Sequence, residues 1–121
     1  MSTFFGEQVR RLRNERGLTQ RALAALVGLS QAQISLHEKG EDVPASPIRP
    51  QYAAALGITP DDLEDLISRD RLKELLRANP VLSEEAKRSI EDYIDFAWER
   101  DREAQRQAGR APGNGLPERG S

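Results

Sequence analysis

The side chains best suited to chemistry lie in one stretch, residues 19–40, with the sequence TQRALAALVGLSQAQISLHEKG. Gln31 stands at the start of a short helix that the pattern predicts over residues 31–39. A glutamine carboxamide carries a donor and an acceptor side by side, so it can bridge N6 and N7 of adenine in the major groove of DNA. The chemistry that this stretch favours is recognition of a base edge.

Residues that could support catalysis or bind a metal are few. His37 is the only histidine, and the chain has no cysteine. A metal site needs several ligands at suitable spacing, and the sequence HEKG lacks the second histidine of an HExxH motif. Ser35 and His37 are two residues apart on the predicted helix, so they do not face each other as a nucleophile and its base do. We predict that the chain is not an enzyme, that it uses no metal or cofactor, and that His37 is a packed side chain.

Two short helices must position Gln31, and their spacing is constrained. Polar residues suited to capping precede the predicted helices over residues 20–27 and 31–39. Gly28 supplies the positive φ that a tight turn between the helices requires. Ala24 is small where two steeply crossing helices come closest. The apolar positions that bury their inner faces are Leu23, Val27, Leu29 and Ile34. The pattern therefore predicts two helices joined by a tight turn.

The rest of the chain is also predicted to be helical, because Leu, Ala, Glu and Arg are abundant and aromatic residues are few. The predicted elements are a first helix that ends at Gly17, a fourth at about residues 50–56, a fifth from Thr59 to Ser68, a sixth over residues 70–78 and a long last helix capped by Ser83. No apolar run is long enough to cross a membrane, and no signal peptide is expected at the N-terminus.

Charge is unevenly distributed along the 121 residues, whose net charge is −2. Residues 1–57 contain 7 Lys or Arg and 5 Asp or Glu, a balance of +2. Residues 58–107 contain 9 basic and 14 acidic residues, a balance of −5. The basic first part favours an approach to phosphate groups. The absence of cysteine is compatible with a reducing cytosol.

Residues 19–40 resemble the helix-turn-helix of the Cro/cI, or Xre, family of bacterial and phage repressors, and residues 5–66 resemble that family's five-helix domain. The segments RxxRGLTQ, EKG and RPQYAAALGI carry the resemblance. It implies an all-α fold, with a five-helix lambda-repressor-like DNA-binding domain over residues 1–68. We expect a C-terminal helical hairpin for dimerisation or interaction over residues 69–107 and a disordered tail over residues 108–121. The family also implies a cytoplasmic protein, encoded by a bacterium or phage and associated with the nucleoid.

The resemblance assigns roles to individual residues, since in the family the start of helix 3 faces base edges and the start of helix 2 grips a phosphate. The expected base-reading residues are Gln31, Ala32, Gln33, Ser35 and Leu36. The expected phosphate contacts are Gln20, Arg10, Arg13, Arg21, Lys39 and Arg49. Arg13 and Glu38 match a pair that forms an ion pair between helices 1 and 3 in the family.

An apolar stripe runs along the last helix. Its large members recur at helical spacing, and a two-helix appendage has too little core to stand alone. We therefore predict that this stripe is a dimer interface. The residues assigned to it are Ile90, Tyr93, Ile94, Ala97 and Trp98. The alternative is packing within one chain, against Leu66, Ile67, Leu75 and Leu76.

The leading interpretation is a homodimeric transcriptional repressor that reads a pseudo-palindromic operator in double-stranded DNA through residues 31–39. The layout is also similar to short Xre repressors controlled by a regulatory protein partner. The alternative is a protein-interaction module, such as an antitoxin or a coactivator, whose acidic C-terminal helices bind another protein. The apolar residues Ala32 and Leu36 in helix 3 favour this alternative.

Overall fold

The computed structural model describes residues 3–110, whose regular elements are all helices, with no strand among them. The elements are α1 (Phe4–Glu15), α2 (Gln20–Val27), α3 (Gln31–Lys39), a 3-10 turn (Ser46–Ile48), α4 (Arg49–Leu56), α5 (Pro60–Ala78) and α6 (Glu84–Arg110). The predicted all-α fold is confirmed. Within the described part of the chain, no helix combines the length and the apolar character needed to cross a membrane.

Side-chain caps fix where the first three helices begin. The Thr3 hydroxyl accepts a hydrogen bond from the Gly6 amide at 3.1 Å, and the Thr19 hydroxyl accepts one from Ala22 at 3.0 Å. Ser30 caps α3 in a reciprocal box with Gln33. Each cap satisfies a backbone N–H that has no acceptor inside its own helix. The predicted starts of α2 and α3 are therefore confirmed.

The turn between α2 and α3 depends on Gly28, whose φ is +72°. A residue with a Cβ adopts this left-handed conformation only at a cost of about 1–2 kcal/mol. The Leu29 amide then donates to the Ala24 carbonyl at 2.9 Å, which closes the end of α2. Gly28 thus lets the chain turn from α2 into α3 while the inner faces of both helices stay buried.

One apolar core holds α1 to α5 together. It consists of Phe5, Val9, Leu23, Ala24, Val27, Ile34, Tyr52, Ala53, Leu56, Leu63 and Ile67. Every helix of the first half contributes to it, and α2 and α3 insert their inner faces side by side. Burial of each large side chain contributes about 1.5–3 kcal/mol. The core therefore sets the angle at which the outer face of α3 is presented.

The fifth and sixth predicted helices are in fact one helix, α5, so the predicted break near Ser68 is wrong. No proline or glycine lies between Pro60 and Asn79, and nothing else in this stretch stops the helix. Asp70 also has a structural task, since its Oδ1 accepts a hydrogen bond from the Phe5 amide at 3.0 Å. The second half of α5 therefore caps the start of α1.

The buried side of this half of α5 is not formed by its leucines. Leu72 and Leu75 are 42% and 73% exposed. Arg69 and Lys73 are buried instead, and their cationic groups lie 4.7 and 4.2 Å from the centroid of the Phe4 ring. Cations are attracted to the face of an aromatic ring, and their aliphatic stems cover apolar surface. Charged residues are thus buried here while two leucines of the same helix are exposed.

The chain divides into two compact units, Met1–Leu76 and a second that begins at Arg77. The boundary predicted after Ser68 therefore falls within α5. Ser83 caps α6 as predicted, its hydroxyl accepting from the Ala86 amide at 3.1 Å. The backbone of α6 extends through residues 108–110, the beginning of the predicted disordered tail. The remainder of that tail lies outside the described residues.

A close contact between α1 and α3 depends on Gly6, a buried helical glycine. A Cβ placed on Gly6 would overlap the backbone carbonyl of Glu38. Two backbones can approach this closely only where one residue has no side chain. Gly6 therefore sets the spacing between α1 and α3.

Replacing Gly6 by Ala should destabilise the protein by about 1–3 kcal/mol, because the new methyl group displaces the α3 backbone. In an ordinary helix the same change would stabilise by up to about 1 kcal/mol. Chemical denaturation measures the difference in unfolding free energy. Gly28→Ala serves as a comparison, since nothing lies within 4 Å of a Cβ at that position and only the positive φ opposes it. A stabilised Gly6→Ala variant would show that the two backbones are not in tight contact.

Candidate nucleic-acid interface

The two sides of α3 differ in exposure. Ile34, His37 and Glu38 are buried on the inner side. On the outer side, Gln31, Ala32 and Leu36 are exposed and Ser35 is half-buried. Four of the five predicted base-reading residues therefore line a surface open to a ligand along α3.

A shallow cleft of about 420 Å³ lies where the starts of α2 and α3 meet. It is lined by Arg13, Thr19, Gln20, Arg21 and Gln31. Helix N-termini carry partial positive charge and backbone N–H groups, which favour anions. The structure therefore brings three predicted phosphate-contacting residues next to the principal predicted base-reading residue.

A buried carboxylate organises this cleft. The side chain of Glu38 has no exposed surface. Its Oε2 accepts from Arg13 Nε at 2.6 Å. Its Oε1 accepts from Arg13 Nη2 at 3.1 Å, from Gln20 Nε2 at 3.1 Å and, more weakly, from Arg10 Nε at 3.4 Å. One carboxylate on α3 thus binds two side chains of α1 and the first residue of α2.

Arg13 extends this network to the backbone. Its Nη1 donates to the Leu18 carbonyl at 2.7 Å, in the loop that leads into α2. Its planar guanidinium therefore joins Glu38 to that loop in a fixed geometry. The expected ion pair between helices 1 and 3 is present, and it also fixes the start of α2.

The network keeps Glu38 ionised. Burial alone would raise the pKa of this carboxyl, but hydrogen bonds from Arg13, Gln20 and Arg10, with the positive charge of Arg13, lower the pKa below its ordinary value. A buried carboxylate is stable only when it is paired and hydrogen-bonded. Because Glu38 is fully paired, its negative charge stays on the buried side of α3. The cationic side chains of Arg13 and Arg21 line the cleft.

Two predicted contact residues have other partners. Gln33 is exposed, but its Oε1 accepts from the Ser30 amide at 2.9 Å in the capping box. Arg49 donates to the Pro44 carbonyl at 2.9 Å and pairs with Glu64 at 3.0 Å, so its guanidinium holds a loop and two helices together. Gln33 and Arg49 thus take part in the fold, and their predicted DNA contacts stay predictions. By contrast, Arg10, Arg21 and Lys39 are exposed.

His37 connects α3 to α4. Its Nδ1 lies 2.8 Å from the Tyr52 hydroxyl in a buried hydrogen bond, and the two rings meet edge to face at a centroid distance of 5.4 Å. Burial lowers the pKa of His37, although the charges of Asp42 and Glu38 oppose that effect. Burial also raises the pKa of Tyr52 well above its ordinary value. The pair therefore links two uncharged rings across the core.

Sequence reasoning missed two of these contacts. His37 was expected to be packed, but Tyr52 was not identified as its partner. Gln20 was expected to contact phosphate, and its bond to Glu38 was not foreseen. The separations of fifteen and eighteen residues cross helix boundaries, and no local spacing rule covers such pairs. A buried polar residue needs a partner, which was the only available signal.

The predicted dimer stripe is split between two environments. Ile94 is buried within the single chain, and Ala97 and Trp98 are half-buried. Ile90 and Tyr93 are exposed. Phe96, which was left out of the predicted set, is also exposed. Only the exposed part of the stripe is available to another molecule.

Comparisons with known proteins agree on the first half of the chain. A family model described as a helix-turn-helix domain matches residues 5–66. Among solved structures, the restriction-modification controller protein C.AhdI from Aeromonas hydrophila is 34% identical over 50% of this chain and 92% of its own, with a TM-score of 0.47. The P22 c2 repressor in complex with a synthetic operator is 32% identical over 51% of this chain and 94% of its own, with a TM-score of 0.48. No curated protein sequence gave a match.

Replacing Glu38 by Ala should lower the unfolding free energy by about 3 kcal/mol, because Arg13 is left partly buried without its counter-ion. Thermal or chemical denaturation measures the loss. The matched control is Glu15→Ala, which removes an exposed ion pair with Arg11 and should cost about 0.5 kcal/mol. Equal losses in the two variants would show that the Glu38 network does not stabilise the fold.

Stability should fall as the pH is lowered from about 7.5 to about 5.5, because His37 has a lowered pKa in the folded state. Near its ordinary pKa of 6.5 the unfolded chain binds more protons than the folded chain, so acid favours unfolding. Denaturant midpoints measured across this range test the effect. His37→Gln should flatten the pH dependence, since the chain has no second histidine. A wild-type protein that becomes more stable on acidification would contradict the lowered pKa.

Proposed function

The chain belongs to the helix-turn-helix domain family, and on that premise we propose that it is a DNA-binding transcriptional regulator. In this proposal it acts as a homodimeric repressor and reads a pseudo-palindromic operator through α3. The observation that carries the proposal is the cleft at the starts of α2 and α3. There Gln31 lies beside Arg13, Gln20 and Arg21, so one base-reading group adjoins several phosphate-binding groups.

Gln31 is the residue best placed to read a base. It is exposed at the first position of α3, and its side chain makes no hydrogen bond with another of residues 3–110. Both the oxygen and the nitrogen of its carboxamide are therefore available for a bidentate contact with adenine. Gln33 has already committed its oxygen to the cap of α3. In this proposal Gln31 contacts a base, and Gln33 caps α3.

Phosphate binding is supported by the groups that surround Glu38. The side-chain nitrogen of Gln20, Nε2, carries two N–H groups. One of them donates to Glu38, so the other can donate to a phosphate oxygen. Arg10 is half-exposed and makes only a long contact with Glu38. Arg21 adds an exposed charge at the start of α2. These contacts would fix the register of α3 on the duplex without themselves reading sequence.

A two-fold operator follows from the small size of the reading element. One α3 covers only a short half-site, so a second copy supplies both affinity and selectivity. The exposed apolar residues of α6 provide a surface for that second copy. The second candidate function is a protein-interaction module, which the exposed apolar side chain of Leu36 on the outer side of α3 favours.

Replacing Gln31 by Ala should weaken binding to the preferred site by about 1–3 kcal/mol and should leave binding to random DNA nearly unchanged. The preferred site is first selected from a random double-stranded pool with the purified full-length protein. Equilibrium binding to the selected and random duplexes then measures both losses. Gln105→Ala, on the exposed surface of α6, is the control and should change neither affinity.

Equal losses on the selected and random duplexes would contradict base reading by Gln31. The same titrations repeated at several salt concentrations distinguish the two candidate functions. A regulator that neutralises several phosphates loses affinity steeply as salt rises, since bound cations are released from the DNA. A weak interaction with no salt dependence would instead favour the protein-interaction module.

A further inference from the structure

The outer side of α3 carries two apolar residues beside Gln31. Ala32 and Leu36 lie four residues apart, so their side chains are neighbours on one side of the helix, with Cβ atoms about 5–6 Å apart. Both are exposed, and Leu36 is 36% exposed. Gln31 and Ser35 form a parallel pair one residue earlier, and both are polar. Ala32 and Leu36 together form the apolar strip of α3.

No negative charge shares the outer side of α3 with this strip. The one acid within the helix, Glu38, is buried on the inner side. Lys39 is exposed and lies three residues after Leu36, so it extends the outer side at the end of the helix. Glu41 and Asp42 are exposed too, but they follow the helix. The strip therefore has polar and cationic neighbours along α3.

An apolar side chain in the major groove of DNA has one favourable partner. The base edges present hydrogen-bond donors and acceptors there, and thymine adds the methyl group on its C5 atom. A leucine set against a polar base atom would exclude water from that atom without supplying a hydrogen bond, which is unfavourable. Set against a methyl group, the same leucine removes apolar surface of both molecules from water. The chemistry of the strip therefore matches a pyrimidine with a C5 methyl group.

We propose that the apolar strip of α3 reads the C5 methyl group of a thymine, and that Leu36 is the specificity-determining residue. This inference rests on the proposed function, because it requires α3 to lie in the major groove. Gln31 lines the cleft that also contains Arg13 and Arg21, and the strip begins at the next residue. A duplex with a phosphate in that cleft would therefore extend along the strip. A 5-methylcytosine carries the same methyl group and is read by the same contact.

The small size of the strip favours a methyl group over a protein partner. A stable protein interface buries at least about 1,000 Å² in total. The strip contains one alanine and one leucine, and α3 has no other exposed apolar side chain. Its neighbours Gln31 and Ser35 are polar, so the apolar surface on this helix is narrow. A single methyl group between polar base atoms fits such a surface.

Base analogues test the proposal with the natural full-length protein. In the duplex selected from the random pool, each thymine is replaced singly by deoxyuridine, which lacks only the C5 methyl group. We expect the affinity to fall about three- to tenfold at one thymine in each half-site, because one methyl contact is lost. A protein that binds every uridine-containing duplex as tightly as the unmodified one would overturn the proposal.

The variant Leu36→Ala tests which residue makes the contact. It should bind the unmodified duplex more weakly, and uridine at the sensitive position should then cost less than about twofold, as expected when both partners of one contact are removed. Leu72→Ala is the matched control, since Leu72 on α5 is a leucine of similar exposure, 42%, and this variant should retain the full uridine penalty. A folded Leu36→Ala protein that also retains the full penalty would show that another group reads the methyl.

Methylated cytosine separates the methyl contact from an effect of uridine on the shape of the duplex. At the sensitive position, the thymine–adenine pair is replaced by cytosine–guanine, with or without a methyl group on C5 of the cytosine. We expect the natural protein to bind the methylated duplex several-fold more tightly than the unmethylated one, and Leu36→Ala to bind both equally. Equal binding of the two duplexes by the natural protein would contradict a contact with the methyl group.

The role of Leu36 and the proposed function can fail separately. Selective binding that depends on Gln31 but is indifferent to every thymine methyl group would reject only the role of Leu36. Failure to select any preferred duplex, together with DNA binding that is weak and independent of salt, would instead reject the proposed function.

Discussion

The buried carboxylate of Glu38 is the interaction on which the arrangement of the first three helices depends. It belongs to α3, yet its donors come from α1 and from the first residue of α2. A carboxylate without exposed surface must have all its partners in place, because an unpaired buried charge costs several kcal/mol. Glu38 therefore permits only one arrangement of the helix starts around the cleft, and Gly6 lets α1 come close enough to complete it.

The same groups serve the fold and the proposed interface. Arg13 and Gln20 hold Glu38 from one side and line the cleft from the other. A phosphate bound there would be contacted by donors that are already oriented, so little side-chain entropy is lost on binding. From the neighbouring residue of α3, the hydrogen bond between His37 and Tyr52 connects the helix to α4. The buried side of α3 is thus bonded to α1, α2 and α4 near its C-terminal end.

Several features of the fold could be predicted from local sequence because local rules govern them. Caps, glycine turns and apolar spacing gave the bounds of α2 and α3, since each involves residues only a few positions apart. The predicted break between the fifth and sixth helices was wrong, because α5 continues to Ala78. Leu72 and Leu75 lie three residues apart, as residues of one helix face do, but both are exposed. The buried residues are Arg69 and Lys73, whose cationic groups lie against the ring of Phe4 near the N-terminus. Spacing within one helix contains no information about such a distant partner.

The sequence by itself determined the helical class and the helix-turn-helix, because these follow from side-chain chemistry and short-range spacing. The base-reading role of Gln31 was assigned by the family resemblance and stays a prediction. Only the tertiary structure decided which polar groups are already engaged. Gln33 and Arg49, for example, already make hydrogen bonds within the chain, to the cap of α3 and to a loop carbonyl. It also divided the apolar stripe of α6 into a buried Ile94 and an exposed Tyr93. The reason is that engagement and exposure depend on neighbours brought together by the fold, and these neighbours lie far apart along the chain.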